Sequence, residues 1–127
     1  LWDQDAFWAI PLAPPAGQSL RADRTAAAPA EPRVRRVCAR AFEALAAVHA
    51  AGVVHRALNP DRIFLRDADA PLFTDFVLAR ITGEESIAAG GRDLDPVDAY
   101  TAPGCRVGLE FPEPASDIYG LAASLYY

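Results

Sequence analysis

The stretch VVHRALNPDRIFL, residues 53–65, decides how this chain is read. Two apolar ends, Val53-Val54 and Ile63-Phe64-Leu65, bracket a polar loop that carries His55, Arg56, Asn59, Asp61 and Arg62, with Pro60 among them. Upstream, residues 33–51 are the strongest helix signal in the sequence. Val34, Val37, Cys38, Ala41, Phe42, Leu45 and Val48 recur at helical spacing and make one apolar stripe. Pro32 suits the first turn of that helix and Gly52 its stop. Arg33, Arg35, Arg36, Arg40 and Glu43 fall mostly off the stripe and read as a solvated face. Downstream, residues 62–65 and 72–74 read as two short apolar strands, and the DADAP between them suits a tight connection.

Working outward, FWAIPL (residues 7–12) reads as a strand, with Pro11 marking an edge or an end. APPAG (residues 13–17) is a stiff turn, and Ser19 is an N-cap for a short helix. Residues 26–32 are an Ala/Pro linker. Residues 77–108 are rich in Gly, Asp and Pro and show no periodicity; a connection of that length is usually functional. Ser116-Asp117 opens a last apolar helix, DIYGLAASLYY, with Ser116 as its cap. There is no internal repeat.

The composition is that of a globular chain: 127 residues, 52% hydrophobic and 23% charged. No apolar run approaches the ~20 residues of a membrane-spanning helix. The net charge is −5 with both signs interspersed, which argues against nucleic acid as a partner. All 12 basic side chains are Arg, so this segment has no lysine for a Schiff base or for a phosphate in transfer. Cys38 and Cys105 lack zinc-site spacing, and Cys38 falls on the apolar stripe as a buried hydrophobe. Nothing calls for a disulfide, which suits a reducing, cytoplasmic setting.

Four segments in order, LAAVHAAGVVHRALNP, LFTDFVLAR, DAYTAPG and SDIYGLAASLYY, give the chain a family likeness. Together they resemble the large lobe of the protein kinase superfamily, nearest to bacterial Ser/Thr kinases. The resemblance implies an α+β, protein kinase-like fold: a mainly helical large (C-terminal) lobe with short β-strands around the catalytic loop. It implies a partial domain, with residues 1–18 as the last small-lobe strand and hinge and residues 19–127 as the first half of the large lobe. The absence of Met agrees with a segment of a longer chain.

The same resemblance implies that the reaction path is damaged. The catalytic loop of the family reads H-R-D-L-K-P-x-N. His55, Arg56, Leu58 and Pro60 match its scaffold positions, while Ala57, Asn59 and Arg62 replace its Asp, Lys and Asn. A methyl group takes no proton, an amide brings no charge, and a guanidinium repels a metal ion but is able to contact a phosphate. Asp75-Phe76-Val77 matches D-F-G, and Val77 lacks the freedom of Gly. Two readings stand for Asp75: a Mg2+ ligand beside nucleotide phosphates, or a partner for local backbone. In the hinge, Leu12 takes the gatekeeper place, Ala13 follows it, and the adenine-binding N–H falls on Pro15, or on Pro14 after a slip of one; proline has no N–H. Phe64 matches the apolar floor under adenine. Val97 and Gly104 replace a Thr and a Glu of the family pattern.

The retained set is His55, Arg56, Phe76 and Asp117, with His49 as a packing residue. By resemblance, Asp117 braces the loop backbone, His55 and Phe76 belong to an apolar column between the lobes, and Arg56 matches a binder of activation-loop phosphate; the plainer reading of Arg56 is an ion pair with Glu84, Glu85 or Asp93. Framework positions survive and transfer positions do not. The expectation is therefore a catalytically impaired kinase-like module, regulatory or scaffolding, within a larger bacterial signalling protein. Its partners would be proteins or other domains of the same chain, with ATP and Mg2+ bound weakly or not at all. The alternative is a divergent active Ser/Thr kinase that uses another carboxylate, Asp61, Asp93, Asp95 or Asp98, as base.

Overall fold

The computed structural model describes residues 15–26, 29–83, 99–107 and 114–126. The chain runs β1 (Gln18–Ser19), α1 (Leu20–Ala26), α2 (Glu31–Ala50), β2 (Val53–Val54), β3 (Ile63–Arg66), β4 (Ala70–Phe73), β5 (Arg80–Ile81) and α3 (Pro114–Tyr126). Short 3-10 turns lie at Asp67–Asp69, Phe76–Leu78 and Pro103–Val107. The expected strand over residues 7–12 lies outside the described residues, as do residues 84–98 of the long connection.

Helix α2 carries the core. Val37, Ala41 and Leu45 are buried on one face, and Val48 packs partly against them. The expected stripe is wider than the buried one. Val34 and Phe42, at its margins, are 38% and 39% exposed, and Cys38 is half-buried. The helix begins at Glu31, two residues before the periodicity starts, because Pro32 is preorganised for a first turn and needs no N–H there. Ser19 does cap α1: its Oγ accepts the N–H of Ala22 at 3.2 Å. Ser116 does not cap α3. That helix starts at Pro114, so Ser116 lies inside its first turn.

Strands β1, β3 and β4 form an antiparallel sheet in that order, and β2 pairs antiparallel with β5. Along β3, Ile63 and Leu65 are buried against α2, whereas Phe64 alternates to the opposite face and is half-buried. Gly17 has φ +100°, and a Cβ there would lie 2.2 Å from the Leu65 carbonyl oxygen, so only glycine lets the chain enter β1 beside β3.

Beta strands 3 and 4 are joined through Ala68 and Asp69, both left-handed at φ 57° and 60°. Each such non-glycine residue costs roughly 1–2 kcal/mol. Helix α2 supplies the compensation. Asp69 Oδ1 accepts Arg33 Nε at 2.8 Å, and Oδ2 accepts Arg36 Nη2 at 2.7 Å. Arg40 Nη1 donates to the Ala68 carbonyl. Arg33 also grips Asp23 of α1 through two bonds of 2.8 and 2.9 Å. Three of the arginines read as a solvated face are thus a clamp; only Arg35, paired with Glu31 one turn away, stays on the exposed side. The hydrogen bonds from Arg36 and Arg33 hold the Asp69 carboxyl below its ordinary value, and those that Arg33 donates to Asp23 and Asp69 raise Arg33.

Helix α3 closes the core with Leu121, which is fully buried, and half-buried Leu125. It lies close against the loop because of Gly120, where a Cβ would stand 2.8 Å from the Leu58 carbonyl oxygen. Ser124 Oγ donates back to the Gly120 carbonyl at 2.6 Å, so its buried hydroxyl is satisfied within the helix. Among the described residues no helix is long and apolar enough to cross a membrane.

Two outcomes follow for the full-length protein. Gly120→Ala, which would gain about 0.5–1 kcal/mol in an unobstructed helix, is expected to lose about 1–3 kcal/mol here, because backbone blocks the added methyl; urea denaturation reads the sign. Asp69→Asn is expected to lose about 1–2 kcal/mol at pH 7. Since the folded carboxyl sits below the ordinary 3.8, its contribution is complete above that value and disappears as pH falls through the lower folded value. Variant and parent should therefore converge in denaturant midpoint only below 3.8, as the pH falls past the lowered folded value.

Candidate functional site

The loop between β2 and β3 is built around one carboxylate. Asp117 enters from the first turn of α3 and is 1% exposed. Its Oδ2 accepts the His55 N–H at 2.7 Å and meets His49 Nε2 at 2.9 Å, and its Oδ1 accepts the Arg56 N–H at 2.7 Å. This arrangement holds Arg56 in a left-handed conformation, φ 71°, which a long side chain rarely adopts.

His55 is fully buried. Its Nε2 lies 2.8 Å from the Thr74 carbonyl and must carry the proton to donate there, while Nδ1 is buried without a hydrogen-bond partner. Burial pushes the ring below its ordinary value of 6.5, against the pull of the Thr74 carbonyl and Asp117. It is a neutral structural imidazole, with the Phe76 ring 4.4 Å away at a tilt of 44°. Phe76 keeps 40% of its surface exposed.

The positions that differ from the family pattern are tied into the loop itself. The Ala57 carbonyl accepts Arg62 Nη1 at 2.8 Å. Asn59 Oδ1 accepts the Asp61 N–H at 3.0 Å, an Asx-type turn that directs the amide oxygen back to the chain. The Asp61 carboxylate pairs with Arg21 Nε of α1 at 2.6 Å, and the Pro60 carbonyl accepts the Arg21 N–H at 3.2 Å. Arg21 is raised first by its hydrogen bond and charge interaction with Asp61, and also by Tyr100. The Asp61 carboxylate is therefore already committed to a cation, although both side chains are more than half exposed.

Arg62 joins this loop to the strand exit. Its N–H reaches the Asn59 carbonyl at 3.1 Å, and its own carbonyl accepts the Thr74 N–H at 3.0 Å and Thr74 Oγ1 at 3.3 Å. One residue on, Asp75 is left-handed at φ 59°, ψ 52°, a conformation that Asp tolerates better than most residues. Its carboxylate is 64% exposed and lies 3.9 Å from Arg62 Nε. Phe64 sits on the non-core face of β3. Pro15 begins the described chain, half-buried; Leu12, Ala13, Pro14, Val97, Asp93, Asp95 and Asp98 lie outside it. Gly104 is exposed on the 3-10 turn Pro103–Val107.

Beside Asp75 the neighbouring positive charge opposes a divalent ion. Among the described residues no three His, Cys, Asp or Glu side chains converge. The one carboxylate at the family's metal position, Asp75, has a guanidinium beside it, and a guanidinium offers no lone pair to a metal. Sequence reasoning brought Asp117, His55, Arg56, Ala57, Arg62, Asp75 and Phe76 to one place, and they do lie around one loop. It did not find the Asn59 turn, the Arg21–Asp61 pair or the contact of Arg62 with Asp75. The N-x-D spacing of Asn59 and Asp61 was a signal for the turn; the other two depend on tertiary approach.

No protein-family model matches the chain. Curated relatives do. The serine/threonine-protein kinase PknK of Mycobacterium tuberculosis is 43% identical over 83 residues, 65% of this chain and 7% of PknK. The probable serine/threonine-protein kinase PkwA of Thermomonospora curvata is 36% identical over 98 residues, 74% of this chain and 12% of PkwA. The serine/threonine-protein kinase PkaB of Streptomyces coelicolor is 37% identical over 99 residues, 71% of this chain and 23% of PkaB. The chain thus spans less than a quarter of each relative's length. A likeness of 36–37% across 71–74% of the chain, as with PkaB and PkwA, joined to helices and small antiparallel sheets around the loop of residues 55–62, has one reading: the chain belongs to the protein kinase superfamily.

Proposed function

We propose that this chain is part of a kinase-like domain that has given up phosphoryl transfer and serves as a regulatory or scaffolding module in a larger bacterial signalling protein. In this reading residues 1–18 are the last small-lobe strand and hinge, and residues 19–127 are the first half of the large lobe. The module acts in the cytoplasm, on a protein partner or another domain of its own chain.

The observation that carries the reading is Ala57. At the position where the family places the carboxylate that receives the substrate's hydroxyl proton, the chain offers a methyl group, and its backbone carbonyl is occupied by Arg62. Loss of a positioned general base costs about 10²–10⁴ in rate. The neighbouring chemistry adds to this. Asn59 brings no charge and its Oδ1 is bonded to Asp61, whose carboxylate is in turn paired with Arg21. Without Lys in the chain, no ammonium is supplied from this segment to the phosphoryl group. The framework that supports a binding surface is intact: Asp117 with His49, His55 and Arg56, and Phe76 against His55. ATP and Mg2+ contribute weakly or not at all to what the domain does.

The test is transfer of radiolabelled phosphate from ATP by the full-length protein to itself and to a generic protein acceptor. No transfer is expected from the parent. Ala57→Asp alone is expected to remain inactive, since Asn59 and Arg62 persist. The triple variant Ala57→Asp, Asn59→Lys, Arg62→Asn is expected to regain transfer above background. Transfer by the parent that vanishes in Asp75→Ala would overturn the proposal and make the domain a divergent active kinase.

A further inference from the structure

We propose that the guanidinium of Arg62 stands in for the divalent cation beside Asp75, so that this position takes the polyphosphate of a nucleoside triphosphate free of metal. The inference rests on the kinase-like reading above and names a ligand for the same site.

The argument begins with how firmly the cation is fixed. Arg62 is held at its backbone on both sides, by the Asn59 carbonyl and by Thr74, and at its side chain by the Ala57 carbonyl at 2.8 Å. The side chain is only 19% exposed, whereas that of Asp75, 3.9 Å from it, is 64% exposed. A positive charge is therefore anchored under a carboxylate that faces solvent. A Mg2+ ion bound to Asp75 would sit about 2 Å from its oxygen and hence within roughly 6 Å of that fixed charge, which repels it. Among the described residues no cluster of three His, Cys, Asp or Glu side chains offsets that repulsion.

A phosphate chain meets the opposite conditions. A guanidinium is a planar donor that stays charged at all working pH values and matches phosphate oxygens better than any other side chain. Asp75 is then the element that opposes the ligand, and its removal has the reverse effect from that expected at a metal site. In a metal-held site the Asp75 carboxylate is needed for nucleotide binding. Here its charge competes with the phosphates for Arg62.

Calorimetric titration of the full-length protein with ATP tests the proposal, once in EDTA and once in excess Mg2+. Binding in EDTA at least as tight as in Mg2+ is expected. Asp75→Asn is expected to keep or tighten it, and Arg62→Ala to weaken it about tenfold or more. Arg62→Lys, which keeps the charge, should lose less than Arg62→Ala. Should Arg62→Ala not fold, the exposed Asp75→Asn decides alone. Tripolyphosphate is expected to bind more weakly than ATP; equal affinity overturns the nucleotide assignment. Binding that requires Mg2+, binding lost in Asp75→Asn, or no binding in either buffer overturns the inference. The last of these, with no phosphate transfer, leaves the scaffolding reading standing, whereas transfer by the parent removes that reading by itself.

Discussion

A carboxylate sealed from water and met by three donors is the constraint on which this structure hangs. Asp117 is buried to 1% exposure and receives the amides of His55 and Arg56 together with the His49 ring. A buried charge is costly unless its lone pairs are met, and removing any partner leaves the charge uncompensated. The bonds tie three elements at one point: His49 belongs to the last turn of α2, Asp117 to the first turn of α3, and His55 and Arg56 to the loop between them. They also keep the left-handed Arg56 in place, a backbone state that persists only where surrounding contacts over-determine it. Gly120, one turn along α3, permits the helix to approach closely enough for those bonds to form.

Around this brace the loop divides into two kinds of position. Those that face the brace and the core, His55, Leu58 and Pro60, are buried. Those at which the family places reacting groups are turned to internal contacts: Ala57 to Arg62, Asn59 to Asp61, and Arg62 to Asp75. The Ala57 carbonyl and the Asn59 amide are thus bonded within the loop.

Much of the fold was legible because it is local. The burial of Val37, Ala41 and Leu45 follows from the 3.6-residue period, the stop at Gly52 from its left-handed φ of 75°, and the alternation along Ile63-Phe64-Leu65 from the strand period of two. The boundaries of β3 moved by one residue, to Ile63–Arg66, and the start of β4 by two, to Ala70–Phe73, because pairing of Arg66 with Ala70 extends each strand toward the turn. What stayed hidden is long-range and polar. Arg33, Arg36 and Arg40 look like any charged helix face until the hairpin arrives with Asp69 and the Ala68 carbonyl, 28 to 36 residues downstream. The site shared both characters. Its scaffold was visible as a motif, but the neighbour of Asp75 was not, since residues thirteen apart in sequence meet only after β3 and β4 pair.

The clamp on the hairpin has one more consequence, and it concerns the solution around the molecule. Arg36 is 48% exposed and Arg33 32%, so their attraction to Asp69 is felt partly through water and is screened as dissolved ions accumulate. The Asp117 brace is shut away from the solvent and is screened far less. Ionic strength therefore acts unevenly on the two ends of this small sheet. Salt loosens the strained turn at Ala68-Asp69, and with it the exposed Arg21–Asp61 pair, while the buried Asp117 brace keeps its shape.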